Sequence, residues 1–307
     1  MKRALASLAL VLAVTTAQGA LAAGRRDQWD VARAPDERKS EEAFQTARTI
    51  LEQATVTRSP LMRHDFAATA RSMLEELGAE KSSDPRLRFA LGHALHWLDD
   101  DARVIAVLRP AVDEFATHPD VHVALFDLAV SYARTNRSRD EILMYDRALE
   151  LEARPDVRHT ILSNRAEAKL KIGLIDEAIE DYRTSIALFP DQPLPRWGLA
   201  VAWDRAGNFS EAIAEARRAK EVDSISNPSL DRSGVFFVPD YERFWYYALR
   251  EAVWGTTAEL LADRKEHWET AAHLWENYLA RATSDDHWVP LAKARKRLAE
   301  ASAAKLG

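Results

Sequence analysis

The feature that most constrains the fold of this chain is an internal repeat between residues 173 and 224. The segment GLIDEAIEDYRTSIALFP begins at Gly173, and GNFSEAIAEARRAKEVDS begins 34 residues later at Gly207 in the same register. A repeat of this length, made of two helical patterns joined by a glycine-bearing turn, is typical of a helical solenoid. The sequence therefore predicts an all-α protein in which helix pairs stack on one another.

Small residues recur at fixed positions of the repeat. Ala166 and Ala200 fall in the first helix of each unit, and Ala178 and Ala212 fall in the second. Side chains of this size allow two antiparallel helices to cross closely, with Tyr182 expected to fill the space beneath the crossing. The glycine after each first helix is expected in the left-handed backbone conformation that glycine adopts at little cost.

Two further units precede these repeats. LRFALGHALHWLDDDARVIAVLRPAVDEF aligns through Gly92, and VALFDLAVSYARTNRSRDEILMYDRALEL aligns through Ala129. Asn136 stands at the turn position, where asparagine is the next-best residue, whereas Glu141 stands where alanine is expected. Over residues 85–224 the chain resembles the tetratricopeptide repeat (TPR) family. The resemblance implies a right-handed superhelical solenoid of antiparallel helix pairs, whose first helices line a concave face that binds proteins.

The rest of the chain divides around this array. Asp84 and Pro85 are expected to cap and open the first clear repeat. After the array, Tyr241–Ala262 is predicted as one long aromatic helix, His267–Ala280 as its partner, and Pro290–Ala304 as a capping helix. The predicted segments are a signal peptide (1–22), a polar linker (23–40), a divergent helix pair (41–84), TPR-like repeats (85–226), a loop insertion (227–240), and an aromatic helix pair with a capping helix (241–307).

The N-terminus has the three parts of a secretory signal. Lys2 and Arg3 precede the apolar run 4–14, and Ala20-Leu21-Ala22 is a small-x-small cleavage site. Cleavage after Ala22 predicts a periplasmic or secreted protein without a stable membrane span. The chain has no cysteine, so we expect neither a lipoprotein anchor nor a disulfide.

Sequence motifs for catalysis and cofactor binding are absent. There is no glycine-rich phosphate loop, no HExxH and no nucleophile elbow, and the net charge of −6 gives no case for nucleic acid. His93 with His96, and His118 with His122, have spacings that place pairs on one helix face. A zinc site needs three or four converging ligands, so packing is the favoured role of these histidines. We expect no cofactor and no metal, with an enzyme hidden in the insertion as an alternative.

Aromatic residues crowd the C-terminal third and raise another alternative. A tryptophan cluster can stack on sugar rings, which would make the protein a cell-wall or carbohydrate binder. Their helical spacing favours a buried core instead. The five tryptophans concerned are Trp245, Trp254, Trp268, Trp275 and Trp288.

The favoured function is that of a non-catalytic scaffold that binds a protein or peptide in the concave groove. Projection by register gives an apolar row and a basic row, which suit a partner with acidic residues. The lysine and asparagine pattern with which some TPR proteins clamp a C-terminal carboxylate is missing, since Ser163 stands at the lysine position. The predicted partner-binding residues are Phe89, Trp97, Phe126, Arg134, Lys171, Trp197 and Arg205.

Overall fold

A computed structural model describes residues 35–232 and 234–307, and within these ranges the chain is helical with no strand. The predicted signal peptide lies outside the described residues. The α-helices of the described ranges are α1 (Pro35–Val56), α2 (Pro60–Glu76), α3 (Pro85–Trp97), α4 (Asp101–Glu114), α5 (Val121–Arg134), α6 (Ser138–Leu151), α7 (Pro155–Lys171), α8 (Ile175–Leu188), α9 (Pro193–Arg205), α10 (Phe209–Val222), α11 (Arg243–Thr257), α12 (Leu261–Arg281) and α13 (Val289–Ala304).

The helices form two compact units. The N-terminal unit contains residues up to 135 together with 143–152, and the C-terminal unit contains residues 136–142 and 153–307. In both units, helices that follow one another in the chain pack as pairs, as the repeat predicts. None of the helices between residues 35 and 307 that the structure describes is long and apolar enough to cross a membrane.

Helix starts follow local capping chemistry. The Asp84 carboxylate accepts a hydrogen bond from the backbone N–H of Arg86, and Pro85 is the first residue of α3, which confirms the predicted start. Helix α1 begins earlier than predicted, so residues 35–40 are helical rather than part of the linker. Asp36 and Glu37 lie in its first turn, where negative side chains favour a helix N-terminus.

The turn after each first helix uses the same backbone conformation. Gly173 and Gly207 have φ of 82° and 84°, and Asn136 takes φ of 56° at the corresponding position. The predicted left-handed turn is therefore confirmed in these three units. Asp99, seven residues after Gly92, has φ of 55° and makes the same turn in the remaining unit. The sequence analysis did not identify this aspartate as a turn residue, although aspartate is among the residues that tolerate the left-handed conformation.

Close helix crossings depend on the small residues. Ala166 and Ala178 are fully buried between α7 and α8, and Tyr182 is buried beneath the crossing. The same tyrosine lies against Gly198 on α9, where a β-carbon would come within 2.3 Å of the Tyr182 ring. These contacts confirm the repeat register in the C-terminal unit.

Enlarging one of these alanines tests that register. We expect Ala178→Leu to lower the free energy of unfolding by about 1–3 kcal/mol, because the added atoms overpack the crossing of α7 and α8. The exposed neighbour Glu180 provides the control, and Glu180→Gln should change stability by about 0.5 kcal/mol or less. Equal denaturant midpoints for the two variants would contradict the register.

The insertion after α10 reverses the direction of α11. Arg205, the last residue of α9, donates a hydrogen bond of 2.5 Å to Glu242, which immediately precedes α11. Near the other end of α11, the Trp254 ring lies 5.4 Å from the ammonium group of Lys220, close to the end of α10. Helix α11 therefore runs antiparallel to α9. In a regular array, each helix pair returns the chain to its starting end, so successive first helices run in the same direction.

The reversal explains the length of the insertion. The chain leaves α10 beside the start of α9 and enters α11 beside the end of α9, so it must travel along this helix. Helix α9 has 13 residues and is about 20 Å long. A short turn cannot cover that distance, whereas the residues from 223 to 242 can.

The predicted aromatic helix Tyr241–Ala262 is wrong in its extent, because α11 ends at Thr257 and α12 begins at Leu261. The hydroxyl groups of Thr256 and Thr257 both donate to the carbonyl oxygen of Val253 at 2.8 Å. Such bonds compete with the helical ladder and favour an end to the helix. The apolar pattern continues across the break, and for this reason the sequence suggested a single helix.

Candidate functional site

Arg134 is the one member of the predicted basic row in the N-terminal unit. Its guanidinium Nη1 lies 2.8 Å from an Asp99 carboxylate oxygen and 3.5 Å from Asp101. The Arg134 side chain is about one-quarter exposed, and Asp99 is 73% exposed. This ion pair lies at the surface, so another carboxylate can compete for the arginine.

The basic residues of the C-terminal unit are largely enclosed. The Lys171 ammonium lies 3.5 Å from Glu167, and its side chain is 11% exposed. The Arg205 side chain is 1% exposed, pairs with Glu242, and has its guanidinium 4.6 Å from the centre of the Trp245 ring. Arg205 is therefore a core ion-pair residue rather than a groove residue, because α11 closes over the end of α9.

The predicted aromatic groove residues also differ in exposure, with two of them buried and two half-buried. Phe89 is buried against Phe115 and His118, and Trp197 is 2% exposed. Phe126 and Trp97 remain half-buried, so each shows part of its ring to solvent. Of the apolar residues that the register projects onto the groove, these two are accessible to a partner.

The segment that follows α10 covers Trp197, which lies in the N-terminal half of α9. The Asp223 carboxylate accepts hydrogen bonds from the Trp197 indole at 3.0 Å and from the Ser229 hydroxyl at 2.7 Å. Leu230 is buried in the core that α9 and α11 share. Projection by register predicts Trp197 on the groove side of α9, but the structure encloses this side chain and pairs its indole with Asp223.

Accessible predicted residues are thus concentrated on α3 and α5 of the N-terminal unit. We name Trp97, Phe126 and Arg134 the open face. Trp97 is the last residue of α3, and Arg134 is the last residue of α5. The Phe126 ring packs against Tyr145 with ring centres 6.0 Å apart, which fixes its orientation. The open face therefore supplies two aromatic rings and one cation from two neighbouring first helices.

Behind the open face lies a polar network centred on His93. The Nδ1 atom of His93 lies 2.7 Å from a carboxylate oxygen of Asp127, which is 2% exposed. The Trp97 indole N–H donates to Nε2 of His93 at 3.1 Å, and the Thr55 hydroxyl lies 3.4 Å from the same nitrogen. Trp97 is therefore held in place by a histidine that is itself oriented by a buried carboxylate.

Burial and charge act in opposite directions on this network. Burial disfavours the charged form of His93, but the Asp127 carboxylate outweighs it and raises the pKa of His93 above its usual range. Burial lowers the pKa of His96 to about 4, so His96 is neutral near neutral pH. Burial also opposes ionisation of Asp127, yet its two histidine neighbours hold the pKa of Asp127 below its ordinary value. Asp127 is thus a carboxylate.

Glu141 shows how a glutamate fits an alanine position of the repeat. Its side chain is buried, and burial raises the pKa of Glu141 to about 8. The nearby Lys171 opposes this rise, and Glu167 adds to it. The carboxyl group is therefore mainly protonated at neutral pH, which removes the charge that the helix contact could not accommodate.

The candidate metal-binding histidines engage protein groups instead. The rings of His93 and His96 stack with centres 6.1 Å apart beside Asp127. Nδ1 of His118 accepts a hydrogen bond of 3.2 Å from the backbone N–H of Asp120, and Nε2 of His122 lies 3.7 Å from a carboxylate oxygen of Glu152. Across residues 35–232 and 234–307, no group of three or more metal-ligating side chains is arranged to hold an ion.

The aromatic C-terminal third is mainly core. Trp245, Trp275 and Tyr278 are 2% exposed or less, and Trp268 is also buried. The Trp245 and Trp275 rings meet edge to face at 87°, so they offer no pair of coplanar faces to a sugar. Trp254, half-buried, is less enclosed. The packing of these aromatic side chains therefore favours the core interpretation over the carbohydrate-binding one.

Sequence reasoning missed the residues that support the open face. Asp127 interrupts the apolar stretch VALFDLAV on the packing side of α5, and a lone carboxylate at such a position signals a buried partner. His93 is that partner, 34 residues away. Thr55 carries no comparable signal, since its contact with His93 arises from the packing of α1 on α3.

Comparison with known proteins finds likeness in structure and none in sequence. No family model matches the chain, and no curated protein shows significant sequence similarity to it. A MamA point mutant superposes with a TM-score of 0.50 at 16% identity, covering 61% of this chain and 99% of the other. MamA from Desulfovibrio magneticus RS-1 gives 0.49 at 14% identity, covering 59% and 94%, and a MamA AMB-1 structure gives 0.48 at 15% identity, covering 60% and 96%.

At such low identity, the likeness to the MamA point mutant bears on the fold alone. MamA contains TPR repeats, and its helical pairs match the arrangement found here. The repeat period, the small residues at the crossings and the left-handed turns lead to the same assignment. The chain is thus an all-helical protein with a TPR-like repeat fold.

Proposed function

We propose that the protein is a non-catalytic scaffold that binds a protein segment through the open face. One observation carries this proposal: two partly exposed aromatic residues and a surface arginine lie on neighbouring first helices, α3 and α5, while Trp197 of α9 is covered. Binding sites in which apolar anchors lie beside a charged group combine affinity with orientation.

The open face favours a partner segment that pairs an apolar side chain with a carboxylate. Phe126 and Trp97 offer ring surface to the apolar side chain. Arg134 can exchange Asp99, which is largely exposed, for a carboxylate of the partner. Because the arginine is already paired, the charge contributes selectivity more than affinity.

Variants of the open face test this proposal. Chemical crosslinking in the native envelope, followed by pull-down and mass spectrometry, identifies the partner, and binding is then measured with purified components. We expect Phe126→Ala to weaken binding about tenfold, since it removes an aromatic anchor worth about 1.4 kcal/mol. Arg134→Gln should slow association at low salt and lose this effect as salt rises.

Leu61→Ala is the matched control, because this side chain is 73% exposed on α2 of the same unit and lies outside the open face. It should bind as the wild type does. Circular dichroism and thermal unfolding establish that each variant is folded. Undiminished binding by folded Phe126→Ala would remove the open face as the partner site.

Export is the second part of the proposed function. The three-part N-terminal signal supports a mature chain that begins at Ala23 and is soluble in the periplasm or outside the cell. Intact-mass measurement of protein isolated from the native host is expected to show the loss of residues 1–22. A mass that includes Met1, or recovery of the protein only in the membrane fraction, would contradict export.

A further inference from the structure

We propose that the protonation state of His93 sets the position of the Trp97 indole, so that the open face has one form in mildly acidic and another in alkaline solution. The proposal rests on the proposed function only where it treats Trp97 as part of the partner surface. The coupling between the two side chains stands on their geometry. Through this coupling, pH would regulate the open face.

The coupling follows from the single lone pair on Nε2 of His93. In the neutral ring, Nδ1–H donates to Asp127 and Nε2 is free to accept the Trp97 indole N–H, as the distances of 2.7 Å and 3.1 Å require. Protonation places a hydrogen on Nε2 as well. Indole nitrogen is a donor only, so two N–H groups then face each other and the hydrogen bond is lost.

The surroundings allow the protonated state to form. Asp127 is ionised and stays beside Nδ1 in both states, so the imidazolium has a counter-ion. The Thr55 hydroxyl oxygen, 3.4 Å from Nε2, can accept a hydrogen bond from the new Nε2–H, since its own hydrogen is donated to the Leu51 carbonyl oxygen. Trp97 is the group left without a partner, and its half-buried position gives the indole N–H access to water once the ring turns.

Within residues 35–232 and 234–307, His93 is the imidazole that accepts the Trp97 indole N–H. Burial lowers the pKa of the neighbouring His96 to about 4, and the Arg63 guanidinium lies 4.9 Å from the centre of the Trp97 ring. Burial raises the pKa of Asp101, which pairs with Arg134 rather than with the imidazole. The charged and titratable groups around His93 and Trp97 are Arg63 from α2, His96 from α3, Asp99 before α4, Asp101 from α4, and Asp127 and Arg134 from α5.

The direction of the effect follows from these contacts. Asp127 favours the protonated ring, and the Trp97 N–H favours the neutral ring. Above the raised pKa of His93 the indole is held against Nε2, and below it the indole is released. The open face therefore presents a fixed tryptophan at higher pH and a mobile one at lower pH.

Nuclear magnetic resonance of the full chain tests the coupling directly. In ¹⁵N-labelled protein, each tryptophan gives one indole N–H cross-peak, and Trp97→Phe identifies the peak of Trp97. We expect this peak to move by more than its line width between about pH 5.5 and pH 9. Its midpoint should equal the midpoint of the His93 imidazole resonances in the same sample.

Variants separate His93 from other histidines. His93→Gln supplies an amide oxygen that accepts the indole N–H at every pH, so the Trp97 peak should become independent of pH. His122→Gln, at a half-buried histidine of the same unit, should leave the titration as in the wild type. Asp127→Asn should lower the midpoint, because the ring loses the carboxylate that raises its pKa.

Three results would overturn the proposal: a wild-type Trp97 peak that does not move over this range, a midpoint that differs from that of His93, or an unchanged titration in folded His93→Gln. None of these measurements requires a partner. Loss of the scaffold function would therefore leave the coupling intact, and loss of the coupling would leave the binding test with Phe126→Ala unaffected.

Discussion

Replacing Arg205 by methionine is expected to lower the free energy of unfolding by about 3–5 kcal/mol. The Arg205 side chain is 1% exposed and donates to Glu242, whose side chain is 12% exposed. Methionine keeps most of the apolar stem but leaves the Glu242 carboxylate buried without its counter-ion. An uncompensated buried charge costs far more than the loss of a surface ion pair.

Two further variants determine whether the loss comes from the charge. In Arg205→Met with Glu242→Gln, no charge is left unpaired, so at least half of the lost stability should return. Arg217→Met, at an exposed arginine of α10, should change stability by about 0.5 kcal/mol or less. Chemical denaturation of the full chain measures all three. If Arg205→Met unfolds at the same denaturant concentration as Arg217→Met, Arg205 is not a core residue.

The second large effect is expected from Trp245→Ala, with a loss of about 3–5 kcal/mol. Trp245 is fully buried, its ring lies 4.8 Å from the centre of Trp275 and 5.2 Å from that of Tyr278, and its indole N–H donates to Asp204 at 2.9 Å. Alanine leaves a cavity among these rings and removes one hydrogen bond from a buried carboxylate.

Trp254 provides the matched control in the same helix, α11. It is half-buried, and its ring contacts the ammonium group of Lys220 and the His267 ring rather than a closed aromatic core. Trp254→Ala should therefore cost less than Trp245→Ala. The aromatic core would be refuted by equal stabilities for the two variants, and the carbohydrate-binding alternative would then regain support.

The repeat region could be predicted well because its signals are local. Asp84 and Pro85 specify a helix start through capping and a fixed φ angle, and Gly173 and Gly207 specify turns that other residues adopt at a cost. Ala178 lies at a crossing because the period of the repeat returns a small residue to the same place. The capping and turn signals depend on residues a few positions apart, and the crossing signal depends on the regular 34-residue period.

The candidate site was less predictable because exposure depends on what packs above a residue. Register correctly places Trp197 and Phe126 on first helices, and nothing in their own segments distinguishes them. Trp197 is covered because its indole N–H donates to Asp223, which Ser229 of the insertion holds in place, whereas Phe126 has no such cover in the N-terminal unit that the structure describes. Long-range contacts of this kind leave no periodic trace in the sequence.

The sequence by itself determined that this protein is an array of helix pairs, where most of those helices begin and turn, and which small residues lie at their crossings. Only the tertiary structure decided that α11 runs against α9, that Arg205 is an enclosed ion-pair partner, and that Trp97 depends on His93 and Asp127. The physical reason is the range of the interactions. Capping, turn conformation and helix periodicity act within a few residues, whereas burial and ion pairing depend on segments that only the folded chain brings together.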